Sequence, residues 1–184
     1  MLSNRDDARA CADRGPSVTV SAMRTRLAGI ADAGAIRDIY NPEVTGSTVT
    51  FDLVPRSLDD QIAWLHEHGG AHPAIVATDD AGEVTGFGSL SPYRSRPAYA
   101  TTVEDSVYVR QDRRGEGVGR LLLTELVHLA GTHGFHAVMA RIVGGHEASI
   151  TLHEACGFEL VGTEREVGRK FGRWLDVAVM QRLV

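Results

Sequence analysis

Apolar residues recur along this chain with two periods, and the switches between them predict its elements. Residues 24–28 read as a short first strand. From Asp32, Ala35, Ile36, Ile39 and Tyr40 fall on one helical side, and Asn41-Pro42 predicts the end of that helix, because the residue before proline disfavours helical geometry. Residues 48–51 are β-prone and are expected to form an extended loop beside a ligand. Ser57-x-x-Asp60 is a capping box, and Leu58, Ile62 and Leu65 follow at helical spacing up to Gly69-Gly70. Two strands, 73–78 and 84–90, flank the turn Asp79-Asp80-Ala81-Gly82. A loop over 91–100 leads into a strand over 101–110. A helix over 117–133 carries Val118, Leu122, Leu126 and Leu129 and stops at Gly134. A strand over 136–142, a break at Gly144-Gly145 and a short helix over 147–155 come next. Segments 158–167 and 174–183 close the chain as an antiparallel pair. The order β-α-α-β-β-β-α-β-α-β-β predicts a mixed sheet with helices on both faces.

Composition narrows the class. A chain of 184 residues suits one domain with a sizeable core. Residues 1–22 are polar and alanine-rich without clean periodicity, so they are expected to be a poorly ordered extension ahead of a single domain over 23–184. A formal net charge of −5 with no basic cluster argues against nucleic acid as a partner. No apolar run is long enough to span a bilayer, and no secretory leader is legible, which makes the cytoplasm the expected location. Cys11 and Cys156 sit in unlike contexts and imply no disulfide framework. Eight histidines invite a test for metal, but His66-x-His68, His128, His133 and His136 lack paired metal-ligand spacing, so no metal is expected.

The richest chemistry lies between Ser106 and Arg120. Val107, Tyr108 and Val109 run into a basic turn, and Gly115, Gly117 and Gly119 then open a helix. A strand, a glycine-rich turn and a helix start form an anion site, where free amides and the helix dipole meet a phosphate at close range. Arg113, Arg114 and Arg120 add positive charge. A P-loop would need Gly-Lys-Ser/Thr, and a dinucleotide turn G-x-G-x-x-G; the spacing here is G-x-G-x-G.

Arg114-Gly-Glu-Gly-Val-Gly119 resembles the Q/R-x-x-G-x-G/A turn of the GNAT acyl-CoA N-acyltransferases. Ser149-Ile-Thr-Leu-His-Glu-Ala-Cys-Gly-Phe158 is similar to that family's S-x-x-L-H-E-x-x-G-F element. More narrowly, Ile39-Tyr-Asn41, Ser47-Thr-Val-Thr-Phe51, Thr102 to Val109 and Gly172-Arg-Trp-x-Asp-Val177 resemble the phosphinothricin-type L-amino acid N-acetyltransferases. The match runs from about Arg24 to the C-terminus. It implies an α+β GNAT fold, an α/β/α sandwich around a twisted, mostly antiparallel sheet. It also implies acetyl-CoA as donor, a small amine such as an amino acid, methionine sulfoximine or sulfone, or phosphinothricin as acceptor, and a homodimer. Carried over residue by residue, the donor site would comprise Val107, Tyr108, Val109, Arg114, Gly115, Glu116, Gly117, Val118, Gly119, Arg120, His146 and Ser149. His146 departs from the family, which usually has Asn there to bond the pantetheine arm. The acceptor site would comprise Phe51, Arg94, Pro97, Ala98, Tyr99 and Glu104, with Arg96 as an alternative carboxylate clamp.

Amide formation from a thioester needs a neutral amine, a polarised carbonyl and a leaving thiolate that gains a proton. Glu104 shares a strand side with Ser106 and Tyr108, and matches the family's proposed base. His153 either protonates the thiolate or packs beside it. An amide of Val107 or Val109 is the expected carbonyl donor. Cys156 is expected to pack rather than carry an acyl group. Acetylation of another amine, such as a polyamine or protein N-terminus, and a CoA-binding sensor remain open readings.

Overall fold

The computed structural model describes residues 23–184, so the expectation of a poorly ordered 1–22 lies outside the described residues. Its elements are β1 (Arg24–Leu27), α1 (Ala33–Gly46), α2 (Leu58–Glu67), β2 (Ala74–Thr78), β3 (Val84–Pro92), β4 (Thr102–Val109), α3 (Val118–Thr132), β5 (Ala137–Val143), α4 (Glu147–Ala155), β6 (Glu159–Lys170) and β7 (Arg173–Leu183). The strands form one sheet in the order β1-β2-β3-β4-β5-β7-β6. Every neighbouring pair is antiparallel except β4 and β5, which run parallel. The predicted α+β sandwich with a mixed sheet is the observed architecture.

Two apolar clusters hold the layers together, because alternate strand residues face opposite sides. On one face Leu90, Val103, Val138, Ala140 and Ile142 pack under Val118, Leu122, Leu126 and Ala130 of α3. On the other, Val76, Val84 and Phe87 pack under Ile36, Ile39, Tyr40 and Val44 of α1 and Leu65 of α2. Gly86 and Gly88 let α3 sit close on β3: a Cβ at Gly86 would lie 3.0 Å from Val118 Cγ1 and 3.1 Å from Leu122 Cδ1.

One prediction fails. α1 does not stop at Asn41-Pro42 but runs to Gly46 with Pro42 inside it. Proline removes one amide donor, and the carbonyl left without it belongs to Asp38, on the exposed side of the helix where water can replace the bond. Beyond Pro42, burial of Glu43 and Val44 rewards continuation. Asn41, meanwhile, uses its amide outward: Nδ2 donates to the Arg56 carbonyl and Oδ1 accepts from the Arg56 amide, each at 2.9 Å. These bonds pin the α1–α2 connection. The capping box of α2 is present as predicted, with the Asp60 amide donating to Ser57 Oγ at 3.1 Å and the Ser57 amide donating to Asp60 Oδ2 at 3.0 Å.

The sheet's central irregularity positions the site. β4 and β5 pair over only three steps, Thr102–Ala137, Val103–Val138 and Glu104–Met139. Past Glu104 the two strands are no longer paired, and a cleft opens between them.

Candidate active site

The wall of that cleft is built by Asp105 to Val109 of β4, Ala140 to Val143 of β5, the turn before α3, and one side of α4. Together they enclose about 510 Å³. At its mouth Gly115 and Gly117 have φ of +82° and +87°, in the left-handed region that side chains resist, and a Cβ on either would meet open space. Gly117 caps α3 without a side-chain hydrogen bond, so the first amides of α3 remain available to an anion. Gly119 serves packing instead: its Cβ would come within 3.1 Å of Leu152 Cδ2 on α4. The residues present therefore fit a phosphate-bearing ligand at the turn with an extended arm along the splayed strands.

Of the residues predicted for the donor site, Val107, Tyr108, Val109, Arg114, Gly115, Gly117, Val118, Gly119, Arg120, His146 and Ser149 line this cavity. Glu116 points elsewhere, its Oε2 accepting from Arg113 at 3.3 Å, and Arg113 in turn pairs with Asp79. His146 hydrogen-bonds through Nε2 with Thr48 Oγ1 at 3.1 Å, which ties the loop after α1 to the start of α4. Partial burial, helped by the nearby Arg114 charge and opposed by Glu43, holds its pKa below the usual imidazole range.

Arg114 has a partner that local sequence does not reveal. Its Nη2 donates to Glu43 Oε1 at 2.6 Å, and Glu43 also accepts from Ser47 Oγ at 2.8 Å and from Gln111 Nε2 at 3.3 Å. Burial opposes the charge on Glu43, yet these hydrogen bonds and Arg114 bring its pKa below the ordinary value. Lys170, buried at the end of β6, donates to the Thr50 carbonyl at 2.7 Å and holds the same loop from the other side.

The residues predicted for the acceptor site lie outside the cavity wall. Glu104 is half-buried, and burial raises its pKa; Asp105 and Glu164 add to the rise, while Arg141 and Arg94 oppose it. Arg141 is salt-bridged to Glu164, which places a charged pair from β5 and β6 beside the carboxylate. Arg94 lies over the rings of Tyr93 and Tyr99, 4.9 and 5.6 Å from their centroids. Pro97, Ala98 and Tyr99 form a short exposed 3-10 turn. Phe51 rests against Gly168 of β6, where a Cβ would fall inside the ring's van der Waals envelope. Phe51, Arg94, Pro97, Ala98, Tyr99 and Glu104 are not part of the donor-cavity wall.

His153 lines the cavity and is buried, with Nδ1 donating to the Ser149 carbonyl at 2.7 Å and Nε2 3.2 Å from Asp105 Oδ2. Burial alone would lower its pKa; the Asp105 bond and charge and the Ser149 carbonyl outweigh it, and the net shift is upward. Sequence reasoning missed Asp105, Glu43, Arg141 and Gly168. Only Asp105 and Arg141 left a signal, as charged residues on the strands that flank the cleft. Cys156 is buried and packs in the core below α3. Among the described residues no group of three or more His, Cys, Asp or Glu is arranged to hold a metal ion.

A sheet splayed between two parallel strands beside a glycine turn at a helix start is the architecture of an acyl-CoA-type N-acyltransferase, and residues 26–179 match the family described as acetyltransferase (GNAT) domain. The chain belongs to this family and is an acetyltransferase acting on an amine. It is 43% identical over 157 residues to an L-methionine sulfoximine/L-methionine sulfone acetyltransferase of Pseudomonas aeruginosa, covering 85% of this chain and 91% of that protein. It is 42% identical over 154 residues to a phosphinothricin N-acetyltransferase of Streptomyces coelicolor, covering 82% and 90%. Among solved structures, a GNAT phosphinothricin acetyltransferase of Sinorhizobium meliloti in complex with AcCoA superposes with a TM-score of 0.84 at 40% identity, covering 88% of each chain. The yncA structure of Salmonella typhimurium with its cofactor acetyl-CoA gives 0.85 at 37% identity, covering 89% of this chain and 94% of that one.

Proposed function

We propose that this protein transfers acetyl from acetyl-CoA to the α-amino group of a small amino acid or analogue of the methionine sulfone, methionine sulfoximine or phosphinothricin type. The observation that carries the reading is the position of Glu104 at the last paired step of β4 and β5, where the donor cleft begins, on the strand side it shares with the cavity-lining Ser106 and Tyr108. A carboxylate with a raised pKa is a better base near neutral pH than an ordinary one, because it binds the ammonium proton more strongly. The glycine turn and the amides opening α3 hold the pyrophosphate, and the splayed edge of β4 receives the pantetheine arm. An amide of Val107 or Val109 polarises the thioester carbonyl. Arg94 pairs with the acceptor carboxylate while Phe51 and Tyr99 shape its side-chain pocket.

Residues 23–184 form one catalytic domain in this reading. The protein acts in the cytoplasm as a homodimer; in support of pairing, Phe171 and Trp174 near the β6–β7 tip are 57% and 61% exposed, and Val167 of β6 is exposed as well. Among the described residues no helix is long and apolar enough to cross a membrane. Thiol release over a panel of amines tests the function. Turnover with methionine sulfone or phosphinothricin supports it. Turnover confined to polyamines or peptide N-termini reassigns the acceptor, and tight acetyl-CoA binding without turnover marks a sensor.

A further inference from the structure

Asp105 is an anomaly in its surroundings. It lies on the α3 face of β4 with Val103, Val107 and Val109, is 6% exposed, and forms part of the donor-cavity wall. One carboxylate oxygen meets His153 Nε2, and the other, Oδ1, is buried without a hydrogen-bond partner among the described residues. A buried acceptor left empty costs about 1–3 kcal/mol, so such a group calls for a reason. The position supplies one: Asp105 is the first residue past the point where β4 and β5 cease to pair.

His153 itself is fully engaged. Nδ1 must carry a proton, since the Ser149 carbonyl can only accept, and Nε2 is committed to Asp105. One further proton is therefore shared between His153 and Asp105, and Asp105 is the member with a free atom. We propose, resting on the acetyl-transfer reading, that Asp105 delivers the proton to the departing CoA thiolate and that His153 is a positioning residue that stores this proton behind it.

The step balances. The amine nitrogen bonds to the acetyl carbon, the C–S bond breaks with its electron pair going to sulfur, and the shared proton moves from the carboxyl to sulfur. Oδ1 is buried in the resting structure, so delivery needs a rotation of the carboxyl about χ2, a soft two-fold torsion in Asp, that brings the protonated oxygen to the cleft. An ammonium becoming a secondary amide gives up two protons; one restores the dyad through solvent and the other is released. Glu104, the neighbour on the opposite strand face, handles the amine, so adjacent residues serve opposite ends of the reaction. The other titratable side chains on the cavity wall are Tyr108, Arg113, Arg114, Arg120, Arg141 and His146.

The test compares acetyl-CoA with its selenoester analogue, whose selenol is much more acidic than a thiol and departs without a proton. Asp105→Asn and His153→Gln should each lower turnover of acetyl-CoA about 100-fold. The acetyl-CoA KM should stay within about threefold of the parent's. With the selenoester both variants should run within about fivefold of the parent enzyme. Equal losses with both donors, a defect confined to the acetyl-CoA KM, or full activity in Asp105→Asn would overturn the proposal. Thermal shift by acetyl-CoA reports whether each variant folds, and His153→Gln carries the comparison if Asp105→Asn does not. Hydrolysis of acetyl-CoA without amine breaks the same C–S bond, so the Asp105 result stands apart from whether the acceptor reading holds.

Discussion

Arg114 and Glu43, 71 residues apart, form an ion pair at 2.6 Å in which the carboxylate is buried and the guanidinium is half in solvent. The pair joins the glycine turn to the last turn of α1, and α1 leads directly into the loop that carries Phe51. One buried carboxylate thus ties together the walls proposed for the donor and the acceptor.

Glu43→Gln should destabilise the fold by about 1–3 kcal/mol, because Ser47, Gln111 and Arg114 lose their charged acceptor. The sign of the pH effect follows from the lowered pKa. The stabilisation is complete above the unfolded-state value, about 4.3, and is lost as pH falls through the folded value. Melting curves of parent and variant should therefore be furthest apart near neutrality and converge in acid. A constant difference across that range would assign the effect to packing instead.

Gly117→Ala should weaken acetyl-CoA binding and destabilise the protein by about 1–2 kcal/mol, since it forces a side chain into a φ of +87°. Calorimetric titration with acetyl-CoA, paired with urea melts, reads both effects. Unchanged affinity would place the pyrophosphate away from this turn.

Gly168→Ala displaces the Phe51 ring, which a new Cβ would otherwise penetrate. The expected result is a several-fold rise in the acceptor KM with the acetyl-CoA KM unchanged. Steady-state kinetics with each substrate varied in turn separates the two, and a change confined to the donor would remove Phe51 from the acceptor pocket.

What the sequence made legible was what depends on neighbours along the chain. The G-x-G-x-G turn, the Ser57–Asp60 box and the alternation of β4 are all local, and each is where it was expected. Helix periodicity likewise located α3. The misread end of α1 shows a local rule overruled by tertiary contact, since burial of Glu43 and Val44 and the Asn41–Arg56 bonds carry the helix through Pro42. Asp105 and His153 are 48 residues apart, and Phe51 and Gly168 further still. Their pairing follows from how the sheet splays and how β6 folds back, which no spacing along one strand encodes.

The central claim, acetylation of an amino-acid amine with Glu104 as base, is tested most directly by the pH dependence of kcat/KM for methionine sulfone in the parent and in Glu104→Gln. The parent should show an acid limb set by a carboxylate displaced above its ordinary value of about 4.3, since only the ionised form can take the ammonium proton. In Glu104→Gln that limb should vanish and the rate fall about 10²–10⁴-fold, while the limb from the amine itself persists at higher pH and the acetyl-CoA KM holds. A variant that keeps both the acid limb and the parental rate would contradict the account.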